Sequence, residues 1–240
     1  MPIVFGHSAS LTREDALLLR KYDKYISITP ESEHHFGYDH QNSWHIQEQA
    51  ALGVDTHSAF SSDIVTQARL WLQTTRLMEY RKVLDRWQVP DSCPMSVNQA
   101  FLLATRNGGL ALKRPDLGVT APGAKADIVV FKGDSPNMIG WVDPVAAVIL
   151  HSNVGDVEHV LVNGQFKKRD GRLVGGVNWE EVKANFLKSA RSIQTVLSKN
   201  PEPELAGNYS RIPLPGVEYG KVEKVSVTKG DNNGYGHVFL

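Results

Sequence analysis

Two side chains in this sequence stand where chemistry is usually placed. Asp55 follows the short apolar run Leu52, Gly53, Val54, and His7 follows the run Ile3, Val4, Phe5, Gly6. An acid that closes an apolar strand is hard to explain by packing, because burying an unpaired carboxylate costs more than its contacts return. On a parallel strand–helix scaffold both side chains would project at the carboxyl-terminal rim of the sheet, where catalytic groups gather. A carboxylate and an imidazole meeting there suit the activation of water. The carboxylate binds a metal or takes a proton, and the imidazole orients the attacking oxygen. His7 and Asp55 are therefore the catalytic candidates, and Asp55 is also the candidate metal ligand. For His7 alone a packing role is equally open, since histidine is common at strand ends.

Other groups carry weaker signals. Glu31 and Glu33 lie beside another strand end, within reach of a substrate, although surface loops often hold acids. Glu33 and His57 are the substrate-binding candidates. His34, His35, His40, His45 and His57 match no zinc spacing, neither paired histidines on one helical turn nor a Cys/His knuckle, so a solvated or substrate-lining loop is the better reading. Cys93 has no base near it in sequence, which argues against a nucleophile. Gly118 and Gly123 are backbone devices, because no helix follows them to cradle a phosphate.

The elements that must position these groups alternate. Residues 3–5 read as a strand, and Thr12 with Asp15 begins a helix that runs to about Lys21. Residues 25–28 alternate with period two and stop at Thr29-Pro30. A His-rich polar loop fills residues 31–40, and a short helical segment near residues 46–50 leads into the strand at residues 52–55. Ser61 or Ser62 caps a helix with Asp63 in its first turn, and Ile64, Ala68, Trp71, Leu72, Thr75 and Met78 form its apolar stripe. Ser96 caps a further helix that reaches Ala111. Near Pro115 the character changes to turns and strands. Strands are expected at residues 127–131, 145–150 and 157–162, with a hairpin at Asn163-Gly164 and a continuation through Asp170-Gly171. Residues 179–197 read as one amphipathic helix, and residues 200–240 as an irregular tail with a stray strand at 222–227.

Bulk properties exclude several classes. Lys+Arg and Asp+Glu both number 26, so nothing marks a nucleic-acid partner or an anionic membrane surface. No apolar run reaches the roughly 20 residues of a membrane helix. A single cysteine and the lack of a visible signal segment make a cytoplasmic location the default expectation.

In order along the chain, the motifs resemble the amidohydrolase superfamily, in its cytosine-deaminase and chlorohydrolase-like branch. Gly6-His7 with Leu11-Thr12 resembles the sixth-strand segment, and residues 27–33 with Gly37 the seventh-strand loop. Residues 52–55 with Ser62-Asp63 and residues 67–69 resemble the eighth strand and its helix. Residues 104–112, Gly118, Pro122-Gly123 and residues 125–130 resemble the closing helix and return strand, and residues 160–164 with 170–172 the final hairpin. The resemblance implies an α/β fold: the last three βα units of a (β/α)8 TIM-like barrel over residues 1–114, a small composite β-sandwich portion over 115–177, a C-terminal helix over 178–199, and a tail over 200–240. It implies a hydrolase of non-peptide carbon–nitrogen bonds, for instance one that deaminates a small heterocyclic substrate with a metal-activated water. One divalent metal, zinc or iron, would be ligated by Asp55, and His7 would hydrogen-bond the bound hydroxide or the substrate. A homo-oligomer is compatible with the family.

The family's first-strand His-x-His and its fifth-strand histidine and glutamate have no counterpart in this sequence. The expectation is therefore a chain that carries part of the barrel. The alternative is a catalytically inactive remnant that serves as a binding or dimerisation module.

Overall fold

The first three strands are parallel. Val4–Gly6 (β1), Tyr25–Ile28 (β2) and Ala50–Leu52 (β3) pair in that order, with Val4 opposite Tyr25 and Ile26 opposite Ala50. The computed structural model describes residues 1–40, 43–176, 178–201, 208–209 and 217–223. The chain divides into two compact units, Met1–Val177 and Asn178–Leu240.

In the first unit, β1 returns to β2 through the helix Arg13–Lys21 (α1). Its first turn is closed reciprocally: the Asp15 amide donates to the Thr12 hydroxyl, and the Thr12 amide donates to the Asp15 carboxylate. β2 buries Ile26 and Ile28 completely and ends before Pro30, which has no N–H to extend a ladder. The stretch after β2, expected as a loop, opens instead as a helix, Pro30–His35 (α2). Pro30 fills the first helical turn, where its missing N–H costs nothing. Glu31 and Glu33 lie in that same turn, where acids suit the helix dipole. A 3-10 segment, Ser43–Gln49, then leads into β3.

The long helix Ile64–Leu84 (α3) is capped by Asp63 rather than by Ser61 or Ser62. Asp63 accepts from the amides of Val65 and Thr66, because a carboxylate next to the helix can reach both. Ala68, Trp71 and Leu72 of α3 are fully buried in one cluster with Ile26, Ile28 and the next helix, and Thr75 is fully buried as well. Sequence periodicity suggests one helix up to Ala111, but there are two, Val97–Ala104 (α4) and Arg106–Ala111 (α5). The break falls at Thr105, with φ −128° and ψ −85°, where Gly118 of the returning loop comes close. A Cβ on Gly118 would lie 2.7 Å from the Thr105 carbonyl oxygen, and Gly118 has φ +69°.

Beyond the helices, Ile128–Phe131 (β4), Val157–Val162 (β5), Gln165–Arg169 (β6) and Arg172–Leu173 (β7) form an antiparallel sheet in sequence order. Its β5–β6 connection is the expected two-residue hairpin, with Asn163 at φ 49° and Gly164 at φ 78°. Residues 145–150, expected as a strand, are helical: Pro144–Ala146 (α6) runs into a π-turn, Ala147–His151. The Val145 and Ala146 amides donate to Asp143, and Arg69 of α3 donates to the carbonyls of Ile149 and Ser152 at 2.7 and 2.6 Å. A short apolar run fits strand and buried helix alike, and a cap together with a distant arginine decided it. The fold is mixed α/β, and its parallel sheet of three strands is open.

In the second unit, Trp179–Leu197 (α7) begins at Asn178, whose side chain accepts from the Glu181 amide. None of its residues is buried. Asn208–Tyr209 (β8) and Val217–Glu218 (β9) form a small antiparallel pair. The strand expected at 222–227 lies outside the described residues from position 224 onward, and Val222 and Glu223 are irregular. No helix among the described residues is long and apolar enough to cross a membrane.

Candidate active site

The two catalytic candidates stand at the same edge of the parallel sheet, one on each side of the end of β2. His7 follows β1 directly, and its amide still joins the ladder by donating to the Ser27 carbonyl at 2.9 Å. Asp55 lies three residues past β3, after Gly53 has donated to the Ile28 carbonyl at 2.8 Å. Both residues have left-handed backbone, φ 61° for His7 and φ 56° for Asp55, and Ser8 has φ 53°. Elsewhere this conformation has local causes, as at Lys113 just past α5 and at Asn163 and Asp170 in hairpin turns. His7 is the centre of a tight turn in which the Ser8 amide donates to the Gly6 carbonyl at 2.8 Å, whereas Asp55 lies outside any turn of the described residues. Strain of this kind costs on the order of 1–3 kcal/mol per residue and collects where function sets the geometry.

Gly53 allows the strands to converge there. A Cβ on it would sit 2.9 Å from Ser27 Oγ and 3.0 Å from Thr29 Cγ2, so only glycine lets β3 end this close to β2.

Behind His7 lies a chain of polar groups. His7 Nδ1 is 3.1 Å from Glu33 Oε1 and 3.0 Å from the Thr29 hydroxyl. Glu33 Oε2 accepts from the Thr29 amide at 2.9 Å and lies 2.7 Å from His40 Nε2. His40 Nδ1 is in turn 2.8 Å from the Ser43 hydroxyl. The His7 side chain is 37% exposed, whereas those of Glu33 and His40 are 0% and 1% exposed, so only His7 presents a surface to solvent. Glu33, a substrate-binding candidate by sequence, is fully buried. Its carboxylate is enclosed, because α2 starts right after β2 and turns its first-turn acid back beneath the strand ends.

Glu31 performs a similar task one residue from α2's start. Its Oε2 accepts from the amide and hydroxyl of Ser61 at 3.1 and 2.6 Å, and from Gln67 Nε2 at 2.7 Å. This ties the loop that carries Asp55 to both α2 and α3. Burial alone would raise the Glu31 carboxyl, but the bonds from Ser61 and Gln67 outweigh it and hold the group below the usual glutamate range.

The remaining histidines are dispersed. His57 is exposed, with Nδ1 2.6 Å from Ser62 Oγ. His35 packs edge-on against Phe36 and Phe60, and His45 lies over Trp44 with ring centroids 3.7 Å apart. Burial pushes the half-buried His34 imidazole down, and the nearby His40 adds to this. Among the described residues no three His, Cys, Asp or Glu side chains converge as a metal site. A complete ligand set is therefore not supplied by these residues, and Asp55 offers a single exposed carboxylate donor. Sequence reading misses His40 and Thr29 as partners of the site. His40 stands in a run rich in histidine, where only the tertiary fold distinguishes a buried ring from solvated ones.

The site is thus an open parallel sheet with an acid and a histidine at its carboxyl-terminal edge. The chain belongs to the Amidohydrolase family, which matches residues 4–167. It is similar to the 5-methylthioadenosine/S-adenosylhomocysteine deaminase of Pelotomaculum thermopropionicum, 25% identical over 191 residues that cover 79% of this chain and 42% of that protein. It is also similar to the 8-oxoguanine deaminase of Pseudomonas aeruginosa, 32% identical over 127 residues, 52% of this chain and 25% of the relative. Among solved structures, an adenosine deaminase from Xanthomonas campestris with bound zinc superposes with a TM-score of 0.69 at 19% identity, covering 80% of this chain and 42% of that one. Atrazine chlorohydrolase from Arthrobacter aurescens TC1, complexed with zinc, gives 0.62 at 23% identity, with 76% and 39% covered. The chain thus spans less than half the length of these relatives.

Proposed function

We propose that this chain supplies part of the active site of a hydrolase that removes an exocyclic amine from a small heterocycle, and that it carries the last three βα units of a TIM-like barrel with a small β-sandwich portion. The observation that supports this best is the pair of left-handed residues, His7 and Asp55, at one edge of the parallel sheet. Deaminases of purine-type compounds among the relatives favour a substrate of that class.

In this reading water adds to the ring carbon that bears the amine, and ammonia leaves. The Asp55 carboxylate takes the proton from the attacking water and returns it to the departing nitrogen. The His7 ring accepts a hydrogen bond from the incoming oxygen and holds it on line. His57, exposed two residues after Asp55, would meet the substrate's polar edge. Asp55 is also proposed as one donor to a divalent zinc or iron ion. The described residues form no complete set for that ion, so no step is assigned to it. A small-molecule substrate is the expected partner, a homo-oligomer is compatible, and the cytoplasm is the proposed location.

The test is ammonia release from 5-methylthioadenosine, adenosine and 8-oxoguanine by the purified chain with added zinc. Turnover that is lost in Asp55→Ala and cut by about 10²-fold or more in His7→Ala is the expected result. Zinc retention on dialysis should also fall in Asp55→Ala. Absence of ammonia release under all conditions would overturn the catalytic reading. The competing reading is a non-catalytic binding or dimerisation module, favoured by the lack of a full metal-ligand set among the described residues.

A further inference from the structure

We infer that Glu33 is a positioning residue that fixes the tautomer of His7, with His40 and Ser43 holding Glu33 in place. The inference rests on the catalytic reading of His7 and deepens it. As a carboxylate, Glu33 can only accept hydrogen bonds. Its Oε2 takes the Thr29 amide at 2.9 Å and faces His40 Nε2 at 2.7 Å, and its Oε1 faces His7 Nδ1 at 3.1 Å. An acceptor on that side requires the proton of His7 on Nδ1, which leaves Nε2 with its lone pair free. Among the described residues no hydrogen bond engages Nε2 of His7. The Thr29 hydroxyl, 3.0 Å from Nδ1, can turn to donate or accept and so imposes no tautomer. Glu33 cannot turn. A base oriented by a carboxylate on its far nitrogen is the general arrangement by which imidazoles are held for proton transfer.

His40 obeys the same rule one step further out. It faces Glu33 through Nε2, so Nε2 carries the proton, and Nδ1 is left to accept from the Ser43 hydroxyl at 2.8 Å. Glu33 and His40 are both fully buried. The backing is therefore a fixed internal strut, and His7 is its accessible end.

Glu33→Gln gives the sharpest test. The Thr29 amide can only donate, so the glutamine must turn its carbonyl oxygen to Thr29 and His40 and its NH2 to His7. His7 Nδ1 then has to accept, and its proton moves to Nε2. Long-range 1H–15N correlation spectra at about pH 9, where an ordinary imidazole is neutral, read the tautomer directly, with His7 assigned by its loss in His7→Gln. The expected result is Nδ1–H in the wild-type chain and Nε2–H in Glu33→Gln. In the ammonia assay kcat should fall by about 10² or more while KM stays within about twofold, as a wrong tautomer removes transition-state assistance and not substrate binding. Wild-type His7 protonated on Nε2 or exchanging between tautomers overturns the inference, as does Glu33→Gln retaining Nδ1–H. If Glu33→Gln fails to fold, the wild-type spectrum still decides. Ser43→Ala, which frees His40 Nδ1 and so loosens Glu33, should then weaken the preference of His7 for Nδ1–H, and a His7 unchanged in that variant would remove Ser43 from the strut. A wild-type chain with fixed Nδ1–H but no ammonia release would sink the deaminase reading while leaving the positioning of His7 established.

Discussion

Replacing Glu31 with alanine tests whether one carboxylate holds the loop that carries Asp55. Three accepted bonds disappear: from the Ser61 amide, the Ser61 hydroxyl and Gln67 Nε2. The fourth bond, from the Glu31 amide to Gln67 Oε1 at 3.0 Å, belongs to the backbone and survives. Each lost bond is worth about 0.5–1.5 kcal/mol net, more where a full charge accepts it. Glu31 is half-buried, so water replaces part of what is lost, and a total of about 2 kcal/mol follows. For a chain of this size that is a fall in Tm of about 4–8 °C. The effect should also depend on pH. Because the Glu31 carboxyl is held below its ordinary value, its stabilisation is complete above the unfolded pKa near 4.3 and is lost as pH falls through the lower folded value. Thermal melts followed by circular dichroism at pH 7 and pH 3 would therefore show a difference between wild type and Glu31→Ala that shrinks at pH 3. A difference under about 1 °C at pH 7, or one equal at both pH values, would refute the tether.

Two further expectations come from other contacts. Gly53→Val places a branched side chain into Ser27 Oγ and Thr29 Cγ2, at 2.9 and 3.0 Å from its Cβ, and should cost about 1–3 kcal/mol in urea denaturation; an unchanged midpoint would mean that β2 and β3 can part freely. The Arg114 guanidinium beside Asp116 holds that carboxyl down at about 2, so an NMR titration should find it there and find it near the ordinary value of about 3.9 in Arg114→Ala.

Much of the framework is legible because its signals are local. The Thr12–Asp15 and Ser96–Gln99 caps, the period-two run at β2 and the Asn163-Gly164 turn depend on residues within four positions of one another. Folding leaves them as local chemistry dictates. The helical segment at 144–151 is not legible in this way, since Arg69 reaches it across some eighty positions of sequence, whereas α2 carries a local signal in Pro30, Glu31 and Glu33 that a polar, histidine-rich composition masks. The split at Thr105 likewise falls where the distant Gly118 approaches its carbonyl closely.

The site divides along the same line. Sequence alone determined that His7 and Asp55 end apolar runs, a boundary where packing gives a carboxylate little reason to sit but leaves a histidine's role open. Tertiary structure alone decided what Glu33 does. In the sequence it is one acid of a polar, histidine-rich stretch. Folding turns it inward between two rings twenty-six positions and seven positions away. The physical reason is that a hydrogen bond of known polarity needs both partners in place. Residue type fixes what a group can donate or accept, but only the packed strands and helices fix which partner it meets.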